Sequence, residues 1–321
     1  MKDWEQEVLG QYDIDVTNMK RVRNGFLCES EQGIFLMQET KLSDTRLSML
    51  EELGTQLQRA DFTDMDFLVK TLDNQLVCNL EDDSRYILKR WYLGKECDVK
   101  RESELLSAIK NLTKLHKSLR KSNVECYQGE DLQQIYFRHN RELKKVRSFI
   151  RGKVDKGRFE NDYLQNFESM YLWADNTLER LKQLNYKQIP RYLIHGDYNY
   201  HNIMMSHECI ATTGFEHFEV NVQVTDLYYF LRKAMEKHEW DIRLGEKMLN
   251  YYQRFQTITQ EELEYIGILI AYPEKFWKAA NAYSRAKKAW LPAKSLEKLE
   301  LVTKQLDRKK EFLDKVLDFR L

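Results

Sequence analysis

The chain has 321 residues, with 51 Lys and Arg against 51 Asp and Glu, a formal net charge of zero, and 42% hydrophobic residues. That balance excludes a disordered chain, which is poorer in apolar residues and lopsided in charge. It also argues against a dedicated nucleic-acid binder, which carries a basic excess.

The length suffices for one large domain or two ordinary ones. Twelve glycines and three prolines are few chain breakers, so long helices are favoured. The five cysteines, Cys28, Cys78, Cys97, Cys126 and Cys209, are widely spaced and form no CxxC pair. Neither a zinc site nor a disulfide framework is indicated, and the protein reads as intracellular in synthesis and kept reduced. The start, Met1-Lys2-Asp3-Trp4-Glu5, does not read as a signal peptide. The longest apolar stretch, Ile266 to Tyr272, is far short of the ~20 residues of a membrane span.

In chain order, short strand-like runs come first. Arg21-Val22-Arg23, Phe26-Leu27-Cys28 and Gly33 to Met37 predict a hairpin; Asp66 to Lys70, Gln75 to Cys78 and Tyr86 to Leu88 predict further short strands. One helical stripe, Leu47, Leu50, Leu53, Leu57 and Ala60, lies between them. After about residue 95 the period is helical. Leu105, Ile109, Leu112, Leu115 and Leu119 form one stripe, and Leu132, Ile135, Leu143, Val146 and Ile150 another. Residues 160–185, 224–255, 260–271, 274–289 and 294–318 read as further helices. A strand-like island from Tyr192 to Phe218 interrupts them. The layout is a small mixed lobe followed by a larger helical lobe carrying one β island.

The island reads Tyr192-Leu193-Ile194-His195-Gly196-Asp197-Tyr198-Asn199-Tyr200-His201-Asn202-Ile203-Met204-Met205. Two apolar strands flank a polar loop holding His195, Asp197 and Asn202. A carboxylate on such a loop can accept a hydroxyl proton, an Asn oxygen nearby can hold a divalent cation, and Gly196 permits the tight turn. The bland alternative is a polar turn tied together by a buried His.

The pattern HGD-x4-N in this place resembles the catalytic loop of the aminoglycoside phosphotransferase and choline kinase superfamily. Tyr86 to Cys97 is similar to that superfamily's inter-lobe segment. Asp226-Leu227-Tyr228-Tyr229-Phe230-Leu231-Arg232-Lys233 with Trp240-Asp241 resembles the CotS-type spore coat proteins within it. So does Tyr272-Pro273-Glu274-Lys275-Phe276-Trp277-Lys278, followed by Asn281, Tyr283 and Trp290. The resemblance covers nearly the whole chain. It implies an α+β, bilobed, protein-kinase-like fold, with an N-lobe over 1–92 and a helical C-lobe over 93–321 that carries the catalytic-loop island at 191–218. It further implies Asp197 as catalytic base, His195 as a brace of the loop, Asn202 as a magnesium ligand, and Asp226 bonded to the loop backbone beside Gly196. Trp91 is implied to line an adenine cleft, and the expected cofactors are ATP and magnesium.

Two parts of the family pattern are missing. The metal-binding Asp is expected where Thr213-Gly214-Phe215-Glu216 stands, so Gly214 replaces it and Glu216 is the nearest substitute ligand. The phosphate-binding Lys is expected where Gln38 stands, with Glu51 and Glu52 as its candidate helix partners; Lys41 lies beyond the expected strand. No GxGxxG is present. A lost charged contact to the transition state costs ~10²–10³ in rate, so an efficient kinase is not expected. The leading expectation is a spore coat-associated pseudokinase or very weak phosphotransferase in the coat or mother-cell cytoplasm of a spore former. Its partners would be coat proteins. The alternative is an active ATP- and magnesium-dependent kinase of a small hydroxyl acceptor, with Asp197 as base.

Three other patterns carry bland readings beside functional ones. His195, Asp197, His201, His207 and His217 could form a metal cluster, but no HxHxDH or HExxH supports it. The cation-rich run from Arg138 to Arg158 is expected to be a solvated helix face rather than an anion-binding one. Trp277, Tyr283 and Trp290 are expected to pack or form an interface rather than cage a ligand.

Overall fold

The computed structural model describes residues 3–286 and 293–320; Trp290 lies outside the described residues. The chain forms two compact units, Met1–Gln128 with Arg191–Phe230, and Gly129–Pro190 with Leu231–Leu321.

The first unit opens with α1 (Asp3–Leu9) and a meander of β1 (Val16–Val22), β2 (Gly25–Ser30) and β3 (Gly33–Glu39). The helical stripe at Leu47–Leu57 becomes α2 (Asp44–Arg59). Ser43 caps it by accepting from the Arg46 amide, and Leu47, Leu53 and Leu57 are buried. The short strands β4 (Leu68–Val69), β5 (Cys78–Asn79) and β6 (Arg85–Arg90) follow, and all pairings in the sheet are antiparallel, in the order β1-β2-β3-β6-β4 with β5 on β6. The strands alternate imperfectly because Phe35, Leu36 and Met37 are all buried, Phe35 and Met37 in one cluster with Val8 and Leu9 of α1. After β7 (Lys95–Glu96), α3 (Glu102–Lys121) buries the predicted Leu105–Leu119 stripe. The island supplies β8 (Arg191–Ile194), β9 (Ile203–Met205), β10 (Ile210–Thr212) and β11 (Glu219–Val222), as two small sheets, β10-β9-β7 and β11-β8.

The second unit is helical: α4 (Leu132–Arg151), α5 (Arg158–Gln183), α6 (Val224–Lys237, which begins in the first unit), α7 (Ile242–Gln253), α8 (Gln260–Ala271), α9 (Glu274–Arg285), α10 (Ala293–Lys304) and α11 (Leu306–Leu317). The single helix expected over 224–255 is two. Glu239 and Trp240 take positive φ, Trp240 is buried against Phe312, and Asp241 caps α7 through the Leu244 amide at 2.7 Å. The span 294–318 likewise divides at Gln305. Cations of the 138–158 run pair with acids: Arg138 with Glu130, Arg147 with Glu168, Lys153 with Glu160, Arg158 with Glu300. Trp277 stacks on His139 and donates to Glu142, and Tyr283 stacks on Phe159, so these two aromatics pack within the unit.

No described helix is long and apolar enough to cross a membrane. The five cysteines are free thiols, Cys28, Cys78 and Cys97 buried and the other two partly so.

Candidate functional site

The polar loop between β8 and β9 is held from several sides. Asp226, in the first turn of α6 and fully buried, accepts from the amides of His195 (2.7 Å) and Gly196 (2.9 Å) and faces His116 Nε2 on α3 at 3.3 Å. The Asp197 amide donates to His195 Nδ1 at 3.2 Å, which leaves the ring proton on Nε2, 3.0 Å from the Thr213 carbonyl. Gly196 has φ +80, and a Cβ there would lie 2.1 Å from the His217 carbonyl oxygen, so only glycine fits. Tyr198 is buried below and donates to the Ala108 carbonyl of α3 at 2.7 Å. The loop is therefore a rigid platform, with Asp197 partly exposed at its surface.

Asn202 is brought to Asp197. Its amide donates to the Asp197 carbonyl (2.9 Å) and to Oδ2 (3.1 Å). Gly214 lies against it with φ +81, and a Cβ at Gly214 would sit 3.0 Å from Asn202 Cγ and Oδ1. A side chain at the place expected to hold an acid would thus press on the Asn202 amide.

Glu216 is not brought to Asn202 by any hydrogen bond; it pairs with Lys89 of β6. Lys89, with 4% of its side chain exposed, also holds Asp66 at 3.0 Å, and Asp66 accepts from the Gly214 amide at 3.0 Å. Burial opposes the Lys89 charge, but the two carboxylates outweigh it and lift the ammonium above the ordinary lysine range. Burial raises the Asp66 carboxyl. Burial opposes ionisation of Glu216 too, yet Lys89 holds its carboxyl below the ordinary range.

The sheet register explains where this cation comes from. Lys89 stands opposite Leu36, and Gln38 stands opposite Ile87. Gln38 and Lys89 therefore share one face of the sheet at diagonal positions. The cation absent at Gln38 is present one strand over. Glu51 does not meet it: its carboxylate pairs with Lys70 at 2.9 Å near the surface. From α2 it is Arg46 that reaches inward, donating to the carbonyls of Glu216 (3.0 Å) and Phe218 (2.5 Å) and lying 4.0 Å from the Phe218 ring.

Trp91, just past β6, donates its amide to the Ile34 carbonyl and helps line a cavity of about 800 Å³ with Asp64, Arg90, Tyr92 and the 206–209 turn. His201 bonds Glu96 at 2.5 Å, and no group of three or more His, Cys, Asp or Glu side chains among the described residues converges as a metal site.

The sequence reading missed Lys89, Asp66, Arg46 and His116. One signal was available: Lys89 is a cation next to the apolar run Tyr86-Ile87-Leu88, on a strand whose neighbours are buried. Asp66, Arg46 and His116 had none, because their partners lie 23, 170 and 110 positions away.

Magnesium demands an octahedral oxygen shell, keeps several waters in it, and is held through one or two free carboxylates together with substrate phosphates. Here Glu216 is taken by Lys89, Gly214 has no side chain, and Asp66 gives Oδ2 to both Lys89 and the Gly214 amide, which leaves Asp197 and the Asn202 oxygen side by side and the buried Asp66 Oδ1 apart from their hydrogen bonds. These residues do not fit a tightly held magnesium ion.

The sequence matches no protein-family model and no curated protein. Solved structures do resemble it. An aminoglycoside phosphotransferase from Alicyclobacillus acidocaldarius superposes with a TM-score of 0.86 at 16% identity, over 98% of this chain and 95% of that one. A spectinomycin phosphotransferase solved with ADP and spectinomycin gives 0.70 at 12% identity, over 95% and 98%. A choline/ethanolamine kinase family protein from Mesorhizobium loti gives 0.58 at 10% identity, over 97% and 95%. At such identities the likeness establishes the fold, which is the α+β kinase-like one with a β-rich N-terminal part and a mostly helical C-terminal part.

Proposed function

We propose that this chain is a kinase-fold protein retained for binding and assembly, with very weak or no phosphoryl transfer. Residues 1–92 act as the nucleotide-side lobe and 93–321 as the other. One observation carries the reading. The segment that should present a metal-binding acid presents Gly214, a Cβ there would press on the Asn202 amide, and the two acids beside it, Asp66 at its amide and Glu216 two positions on, are both committed to Lys89. A spore coat setting is supported by the resemblance of Asp226–Lys233 and Tyr272–Lys278 to coat proteins of the CotS type, and it makes other coat proteins the partners. The Asp197–Asn202 pair and the Trp91 cavity leave room for a ligand without the chemistry that magnesium supplies.

A second reading rests on Lys89. It sits on the same sheet face as Gln38, so an active transferase acting on a small hydroxyl acceptor would draw its phosphate-side cation from β6, with Asp197 as base. Calorimetric titration with ATP, with and without magnesium, separates the two. The first reading expects binding that magnesium does not strengthen, or none, and unchanged behaviour in Asp197→Asn. Magnesium-strengthened binding, together with phosphoryl transfer to a hydroxyl acceptor that Asp197→Asn abolishes, establishes the second and overturns the first.

A further inference from the structure

The helical unit contains a cavity of about 40 Å³ that includes no residue of the polar loop, walled by Trp173 of α5, Arg232 and Glu236 of α6, Trp240, Lys275 and Lys309 of α11, among others. Its charges do not balance. Glu236 holds both Arg232 (3.0 Å) and Lys275 (2.9 Å), and Glu274, also in the wall, holds Lys278 (2.6 Å). Lys309 is left with a long 3.4 Å hydrogen bond to the Ala271 carbonyl and two aromatic neighbours, its Nζ lying 5.5 Å from the Trp173 ring centroid and 5.6 Å from that of Trp240. Trp173 is 7% exposed and its Nε1–H is buried without an acceptor, whereas Trp240 Nε1 donates to Gln305.

Two donors, the Lys309 ammonium and the Trp173 indole N–H, thus line one hollow whose acids Glu236 and Glu274 are paired with other cations. The Trp173 indole N–H is a buried donor left unmatched and the partly buried Lys309 ammonium has one long bond, so the arrangement favours a ligand that supplies acceptors. Burial pulls the Lys309 ammonium down to about 7, with Glu236 pushing the other way. Beside this hollow lies a larger one of about 500 Å³ that shares Trp173 and Leu306 with it and includes the exposed Leu172, and Lys310 Nζ stands 5.3 Å from the Trp173 ring on α11.

We propose that Lys309 and the Trp173 indole N–H form a binding site for a monoanionic organic carboxylate, with its head in the inner hollow and an apolar body against Trp173 and Leu306. Two donors and one unbalanced charge match a carboxylate, whose single charge lies on two oxygens; a phosphate dianion brings more oxygens and charge than the site answers. Aliphatic chains add affinity through buried CH2 groups.

The test is titration of the full chain with sodium hexanoate, acetate and inorganic phosphate, read from the Trp173 indole ¹⁵N–¹H signal, which Trp173→Phe assigns by its disappearance. Hexanoate should give a saturable shift with higher affinity than acetate. Above pH 7 the affinity should fall about tenfold per pH unit as Lys309 loses its proton among Arg232, Glu236, Glu274, Lys275 and Lys310. Lys309→Met should weaken hexanoate at least tenfold and Lys309→Arg should retain it, with thermal melts showing both variants folded. A non-saturating response to hexanoate, equal affinity in folded Lys309→Met, or phosphate binding as tightly as hexanoate overturns the assignment.

Discussion

Lys89 carries a charge through the apolar strand Tyr86-Ile87-Leu88, and that charge survives because two carboxylates converge on it. Removing one partner of such a buried set leaves the others uncompensated, which costs ~3–5 kcal/mol. Lys89→Met should therefore lower the stability of the first unit by about that much in chemical denaturation, and adding Glu216→Gln should return part of the loss. The triad also sets an acid limit. Glu216, held by Lys89 below its ordinary 4.5, contributes stability that is present above that value and lost as pH falls below it, while Asp66, raised by burial, works in the opposite sense. Gly214 is the other residue whose identity is fixed by its neighbours. Gly214→Ala places a Cβ 3.0 Å from Asn202 in a left-handed backbone, and should cost ~1–2 kcal/mol, with the Asn202–Asp197 hydrogen bonds disturbed as read from the Asn202 side-chain amide signals.

At the scale of elements, helix ends explain where the chain stops and turns. Asp131 caps α4 by accepting from the amides of Gln133 (2.9 Å) and Gln134 (3.3 Å), and it also takes the Tyr186 hydroxyl (2.7 Å) and Lys187 (2.8 Å). Lys187 above all holds its carboxyl down to about 2 from 3.8. The cap's stabilisation is therefore present above pH 3.8 and lost as pH falls toward 2. Asp131→Ala should cost ~1 kcal/mol at neutral pH, the ordinary worth of a cap, and should flatten this part of the acid profile in pH-dependent urea melts. The elements themselves were readable where a stripe was long: α2 and α3 bury the leucines that the period of 3.6 singled out, and α4 buries Leu143, Val146 and Ile150 of its stripe while Leu132 and Ile135 are only partly covered. The break between α6 and α7 was not, because burying Trp240 turns the chain there, and burial is a property of the packed unit. α1 and β7 also escaped the reading; seven and two residues are too few for a period to emerge.

Over the whole molecule, equal numbers of basic and acidic side chains predict least solubility near neutral pH, where the net charge vanishes. Light scattering across pH 5 to 9 should show strongest self-association near 7, relieved on either side. The same ledger kept nucleic acid out of the functional reading, and the ion pairs along 138–158 show how a cation-rich stretch is balanced locally. By itself the sequence determined the alternation of a β-rich beginning with a helical remainder, the His195–Asn202 loop, and the absence of an acid at Gly214, because these are properties of neighbours along the chain. Only the tertiary structure decided that Lys89 rather than Gln38 brings a cation to that sheet face, that Glu216 spends its charge on Lys89, and that Arg46 rather than Glu51 reaches in from α2. Those choices depend on which strand lies opposite which, and on the low-dielectric interior that makes an unpaired charge untenable and so selects its partner from anywhere in the chain.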